Sequence, residues 1–312
     1  HKCQRFPCCA NVKGAFSEKQ RGYLGAVSSN LIWGIAPLYF SYLVLFPMAE
    51  IIAHRALWAA VFLLVILLAT GQGGALAQGF VYPRRTLSLA AGAIMVTANW
   101  TAYLYAVDTN QLVQSALGYF LYPLMAIGLG VVVLGERLGR RGWLALFCAT
   151  AGVGLKATLL DGFPFVALAI GSSFAFYALI RKRLDMDPFL AMVIELMMIA
   201  PLALALITYL TLTGKPAGAS FFLDGTSYGI LMAFTSGIIT SVPLVLFHIG
   251  NRYLPLSVAG FLFYLNPSLQ LLLGLLVFAE PFTNVDMVAF TLMWVALVLQ
   301  FAPARWLTST RP

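Results

Sequence analysis

Charged side chains make up only 10% of the 312 residues, and no aspartate lies deep within an apolar stretch. Soluble domains carry about 25% charge, so an ordinary soluble enzyme is excluded. Cysteine occurs four times and histidine three. Cys3, Cys8 and Cys9 stand in a C-x4-C-C spacing that fits no zinc pattern, and Cys148 sits alone in an apolar run as a packing residue. No disulfide framework or metal site is therefore expected. HExxH, GxSxG and Walker sequences are missing, so neither hydrolytic nor nucleotide-driven chemistry has its usual parts. No cofactor is expected. Glycine and proline are spread through apolar runs, which excludes a disordered or collagen-like chain.

What the chain has instead is apolar length: 61% of residues are hydrophobic. A bilayer core needs roughly 20 apolar residues per helix. Ten runs meet or approach that length, at residues 23–45, 48–70, 86–107, 112–134, 142–157, 164–181, 188–212, 227–249, 255–279 and 283–303. They lack the alternation of barrel strands. The expectation is an all-α polytopic membrane protein with ten transmembrane helices, its polar tails at residues 1–22 and 304–312. The first run exceeds a signal-peptide core, so no cleavage is expected. Val12 is a candidate alternative start, which would make His1–Asn11 artificial.

The formal net charge of +8 is distributed in alternation. With a cytoplasmic N-terminus, 16 of the 19 Lys and Arg fall in inner segments. Only Lys156 and Lys215 fall outside, and Arg55 is embedded. The positive-inside rule then places both termini in the cytoplasm. The bilayer accounts for the basic excess, and nucleic acid is not expected as a partner. A homodimer finds no support in the sequence.

A shift of 144 residues superposes the halves without a gap from the fourth apolar run through the fifth. Leu112, Leu121, Pro123, Leu129, Gly130, Val133, Glu136 and Ala145 fall on Leu256, Leu265, Pro267, Leu273, Gly274, Val277, Glu280 and Ala289. Each half, 23–157 and 164–303, holds five runs, an odd number, so the halves enter the membrane in opposite senses. Two inverted five-helix repeats are the architecture of many secondary transporters.

The segments EIIAHRALW (50–58), LGYFLYP (117–123) with LGERL (134–138), and LPLSVAGFLFYLNPSLQLLLG (254–274) with AEPF (279–282) resemble the RarD-type branch of the EamA transporters, in the drug/metabolite transporter superfamily. The resemblance covers residues 22–302. It implies a ten-helix inner-membrane carrier made of two EamA repeats. Tyr122 stands before Pro123 where Asn is expected, as Asn266 stands before Pro267, and Ala279 replaces the usual Gly before Glu280.

Candidate residues follow from depth and chemistry. Pro123 and Pro267 remove helical hydrogen bonds mid-membrane. Tyr119, Tyr122, Tyr264 and Asn266 stand just before them, as a substrate cavity between two broken helices would require, although packing kinks have the same signature. Arg55 is an embedded cation suited to a substrate carboxylate, or else to an ion pair or a snorkelling position. Glu195 is the embedded acid, suited to a coupling proton, to gating, or to pairing with Arg55. His54 is a coupling candidate that also suits the core, and Asn99, Trp100 and Trp33 suit either the cavity or packing. Glu136 and Glu280 are expected to cap helix ends. The expected function is a secondary transporter, an exporter of a small organic metabolite or drug-like solute by alternating access. The alternatives are an intramembrane enzyme, or a channel or receptor.

Overall fold

The computed structural model describes residues 17–43, 46–109, 111–158, 163–213, 227–277 and 283–302. Every regular element among them is helical: α1 (Glu18–Phe40), α2 (Met48–Ala69), α3 (Gly74–Val81), α4 (Pro83–Asp108), α5 (Leu112–Leu134), α6 (Arg140–Ala157), α7 (Phe165–Arg183), α8 (Pro188–Thr213), α9 (Ser227–Tyr253), α10 (Leu256–Phe263), α11 (Leu265–Leu276) and α12 (Asn284–Phe301), with a 3₁₀ turn at Ser41–Leu43. Among the described residues, eight stretches are long and apolar enough to cross a membrane: α2, α4, α5, α7, α8, α9, the α10–α11 pair and α12. The protein is thus a polytopic membrane protein. α1 and α6 are also long, at 23 and 18 residues. They are less uniformly apolar, with Ser28, Ser29 and Asn30 in mid-α1 and Arg140, Arg141 and Lys156 at the ends of α6.

Local signals set the helix ends. Ser17 and Gln20 form a capping box on α1, so the helix begins inside the expected polar tail. Thr283 and Asp286 form the same box on α12. Asp187 accepts from the amides of Phe189 and Leu190 at the start of α8. Gly135, with φ of 70°, ends α5 in the left-handed conformation. The short α3 occupies the stretch between the second and third apolar runs, which the hydropathy pattern leaves as a loop.

The proline expectation needs a correction at one of its two sites. α5 runs unbroken through Pro123, as α1, α8 and α9 run through Pro37, Pro201 and Pro243. Losing one hydrogen bond is tolerated where the neighbouring helices hold the segment. Near Pro267 the helix does break. α10 and α11 meet at Tyr264, whose amide reaches Phe261 O at 3.2 Å in a tightened turn.

α1 packs on α9, α4 on α7, α5 on α7 and α10, α2 on α8 and α9, and α6 on α12. Small residues allow this, since without an aqueous driving force helices associate by close backbone approach. A Cβ on Gly237 would lie 2.5 Å from the Ala59 nitrogen of α2, and one on Gly250 would lie 2.9 Å from the Ala26 Cβ of α1.

The two ends of the bundle differ. At one, cationic side chains cap helix C-termini, where the carbonyls lack intrahelical donors. Lys182 Nζ donates to Asn251 O at 2.7 Å and Leu254 O at 2.5 Å, and Arg183 donates to Val133 O at 3.0 Å. Arg252 donates to Met186 O at 2.8 Å and Arg141 to Ala302 O at 3.4 Å. Glu136 crosses from the end of α5 to α10, accepting from Leu256 N at 2.6 Å, Ser257 N at 2.8 Å and Ser257 Oγ at 2.6 Å. This is the end-capping role expected of it. Glu280 and Lys215 lie outside the described residues. At the opposite end, among the described residues, neighbouring helices are joined by the Lys156–Asp286 ion pair, by Gln114 accepting from Val166 N at 3.2 Å and by Tyr39 donating to Met232 O at 2.6 Å.

Candidate functional site

Arg55 stands seven residues into α2, about 10 Å from the sparsely charged end by helical rise. Its Nε donates to Thr240 Oγ1 of α9 at 2.8 Å, and Thr240 in turn donates to Ser236 O at 2.7 Å. The guanidinium carbon lies 4.8 Å from the Phe40 ring centroid and 6.0 Å from that of Trp100. Both aromatic faces can stabilise a desolvated cation. The phenols of Tyr39, Tyr103 and Tyr119 lie within electrostatic reach. Tyr103 and Tyr119 pack with centroids 6.3 Å apart. Among the described residues no carboxylate comes within ion-pair distance of Arg55. Arg55, Phe40, Trp100, Tyr103 and Tyr119 are all half-buried. Of the expected substrate residues, Arg55, Trp100 and Tyr119 are brought together here.

The remaining expected residues pack elsewhere. Tyr122 is fully buried, its ring 4.4 Å from Phe263 and 4.8 Å from Phe174. Phe174 stacks on Phe247 at 5.2 Å, and Trp33 lies 5.5 Å from the same ring. Rings from α1, α5, α7, α9 and α10 thus form an aromatic layer between the Arg55 group and the basic end. The expected cavity between Pro123 and Pro267 is corrected as well. Tyr264 is fully buried and donates to Phe120 O at 3.5 Å, and a Cβ on Gly260 would meet Pro123 O at 3.1 Å. Asn266 is buried and accepts from Gln270 at 2.8 Å. α5 and α10 are in direct contact there. Asn99 binds Ile170 O at 2.9 Å and Ser173 Oγ at 3.3 Å, joining α4 to α7.

On the other side of the aromatic layer lies a second polar group. Glu195 is fully buried, accepting from Tyr177 OH at 2.8 Å with Arg181 Nη1 at 3.5 Å. The expected pairing of Glu195 with Arg55 is therefore corrected. α7 extends to Arg183, which carries Arg181 inside the bundle rather than into a loop, and its carboxylate partner lies one helix away on α8. Arg181 Nη2 also donates to Pro188 O at 2.8 Å. His248 of α9 stands edge-on to Tyr177 with centroids 4.8 Å apart. His54 lies on α2 beside Glu50, at 3.7 Å, away from this group.

Sequence reasoning missed Arg181, Tyr177, His248, Tyr103 and Thr240. Arg181 was legible: it ends an apolar run by one residue, within reach of a helix that overshoots that run. Thr240 and Tyr103 carry no local signal, because only the packing of α9 and α4 on α2 brings them to Arg55. A groove of about 970 Å³ between α4, α7 and α8 is lined by Ala93, Thr97, Thr101, Phe165, Met198 and neighbours. Its apolar walls open to the outer surface of the bundle, apart from both polar groups.

Comparison with known proteins agrees with this architecture. The EamA-like transporter family matches residues 20–157. An uncharacterized transporter of Pseudomonas aeruginosa is 35% identical over 285 residues, 91% of this chain and 94% of that one. Protein RarD of Escherichia coli is 34% identical over 282 residues, 90% of this chain and 94% of that one. A solved crystal structure matches with a TM-score of 0.69 at 17% identity, covering 90% of this chain and 96% of its own. At that identity the likeness is one of fold.

Proposed function

Because the chain belongs to the EamA family of transporters, in its RarD-type branch, we propose that it is a secondary carrier that exports a small organic solute by alternating access. The observation that carries the substrate side of this reading is Arg55. It is an arginine among aromatic faces in the membrane interior, held by Thr240 and facing no carboxylate among the described residues. Such a cation is suited to an anionic group of the solute, with Trp100, Tyr103 and Tyr119 against its apolar body.

The transport cycle draws on ten spans arranged as two inverted five-helix repeats, 23–157 and 164–303. Helix pairing supports this arrangement. Exchanging α1, α2, α4, α5 and α6 for α7, α8, α9, α10–α11 and α12 carries the α1–α9 contact onto α7–α4. It also carries α5–α7 onto α11–α1 and α2–α9 onto α8–α4, while α2–α8, α5–α10 and α6–α12 map onto themselves. The Tyr264–Phe120 hydrogen bond joins residues 144 positions apart, the same shift that superposes the halves. A bundle with that symmetry has a second conformation available in which the open and closed ends trade places. The basic end faces the cytoplasm of a bacterial inner membrane, with both termini on that side, by the positive-inside rule.

The test begins with solutes whose cellular level changes when the protein is removed. Their saturable counterflow is then measured in proteoliposomes, with Arg55→Ala compared at equal amounts of folded protein. Counterflow that falls at least tenfold supports the reading. Flux that is unchanged by Arg55→Ala, or that never saturates, sinks it.

A further inference from the structure

We propose that Glu195 is a proton-binding site whose occupancy loosens the basic end of the bundle, the ligand being a proton from solvent. The inference rests on the carrier reading, to which it adds the ion that drives or gates the cycle. Glu195 lies seven residues into α8 from Pro188, about 10 Å from the basic end by helical rise. Its carboxylate is under-satisfied for a buried charge. Oε2 accepts from Tyr177, while Oε1 has no hydrogen-bond partner among the described residues. Arg181 Nη1 is 3.5 Å away but makes no hydrogen bond, and Arg181 Nε and both ring nitrogens of His248 are similarly unmatched. Fully buried ion pairs persist when hydrogen bonds satisfy every lone pair. A pair this loosely held leaves Oε1 open to a proton.

The surroundings supply no second acid. α7 presents Tyr177 and Arg181, α9 presents His248, and α4 presents Gly92, whose missing side chain leaves room for Oε1. α3 carries no titratable residue. α2 carries Glu50 and His54, which lie against each other, and Arg55, which is bound to Thr240. Glu195 is therefore the carboxylate that answers to Arg181 among the described residues.

The step balances without redox chemistry. A proton from water on one side forms an O–H bond at Oε1, and the site changes from neutral to singly positive. Arg181 keeps its own protons but loses its counter-ion. It also holds Pro188 O, so the clasp between the end of α7 and the start of α8 weakens. Loss of the proton to the other side restores the pair. Tyr177 acts as a positioning residue that fixes the carboxylate, with His248 packed edge-on against its ring.

The test uses the full chain in lipid nanodiscs with no solute. All four cysteines are replaced by serine and a reporter, Leu254→Cys, is placed at the basic end, where Leu254 is 1% exposed. The infrared carbonyl stretch of a protonated carboxylic acid is followed with pH, together with the rate of thiol labelling. The expected result is a titrating band that Glu195→Gln abolishes. Labelling should be at least tenfold faster at acid than at alkaline pH, and fast at all pH in Glu195→Gln. Should that variant not fold, Tyr177→Phe serves: it displaces the midpoints of both signals if Glu195 titrates and leaves them in place otherwise. A band that survives Glu195→Gln, unmoved midpoints in Tyr177→Phe, or parent labelling independent of pH overturns the proposal. Neither readout needs a transported solute, so its failure leaves the Arg55 reading standing, and failure of the flux test leaves this titration standing.

Discussion

Arg55 and Arg181 are two arginines inside the same apolar bundle, and the protein satisfies them in opposite ways. Arg181 has a carboxylate, Glu195, at 3.5 Å and a backbone carbonyl at 2.8 Å, and is 8% exposed. Arg55 has a threonine hydroxyl and two aromatic faces, is half-buried, and meets no carboxylate among the described residues. The first arrangement gives the cation a counter-ion within the protein, loosely held at 3.5 Å. The second leaves a cation with no carboxylate partner among the described residues, which is what recognition of an external anion requires. Position reinforces the contrast, because the aromatic layer of Trp33, Tyr122, Phe174, Phe247 and Phe263 stands between the two.

This difference can be broken experimentally, most strongly at the paired site. Arg181→Ala or Glu195→Ala strands a buried charge and should destabilise by about 3–5 kcal/mol. Arg181→Leu combined with Glu195→Leu should recover most of that loss in a thermal-melt comparison in detergent. Single variants that melt like the parent would contradict a structural pair. At Arg55 the pattern should reverse: Arg55→Ala lowers solute flux or affinity roughly tenfold to a hundredfold, or about 1.4–2.8 kcal/mol, while melting moves little. Arg55→Lys should recover only part, since an ammonium cannot make the bidentate contact.

Smaller effects sharpen the picture. Glu136→Gln keeps the shape but removes the charge that caps α10, and should destabilise by about 1 kcal/mol. Denaturation monitored through a probe on α10 would detect it. Smallest of all, a double-mutant cycle between Arg55 and Glu195 should give coupling within about 0.5 kcal/mol, as for separated sites. A larger coupling would mean that the two groups communicate through the aromatic layer.

Much of the fold was legible residue by residue. Apolar runs of about twenty residues become helices in any bilayer, because backbone groups there must be satisfied within the segment. The role of Glu136 as an end cap could be read from its place after the run that ends at Leu134. Half of the Arg55 group was equally legible, since Arg55, Trp100 and Tyr119 stand at matching depths. The two prolines illustrate the limit. They match at the 144-residue shift, yet α5 passes through Pro123 while the chain turns at Tyr264, three residues before Pro267. A proline's lost hydrogen bond is local, but whether the helix yields depends on the neighbours that hold it.

Composition and periodicity by themselves determined that this chain is helical, crosses a membrane many times and carries an arginine and a glutamate within it. Those properties follow from the cost of bare backbone and charge in hydrocarbon, which acts on each segment alone. Which acid meets which base was decided only in the tertiary structure. Depth along a helix is one coordinate, and the rotation of each helix and its choice of neighbour are the others. Close approach at Gly237, Gly250 and Gly92 fixed those, turning Arg181 to Glu195 and Arg55 to Thr240.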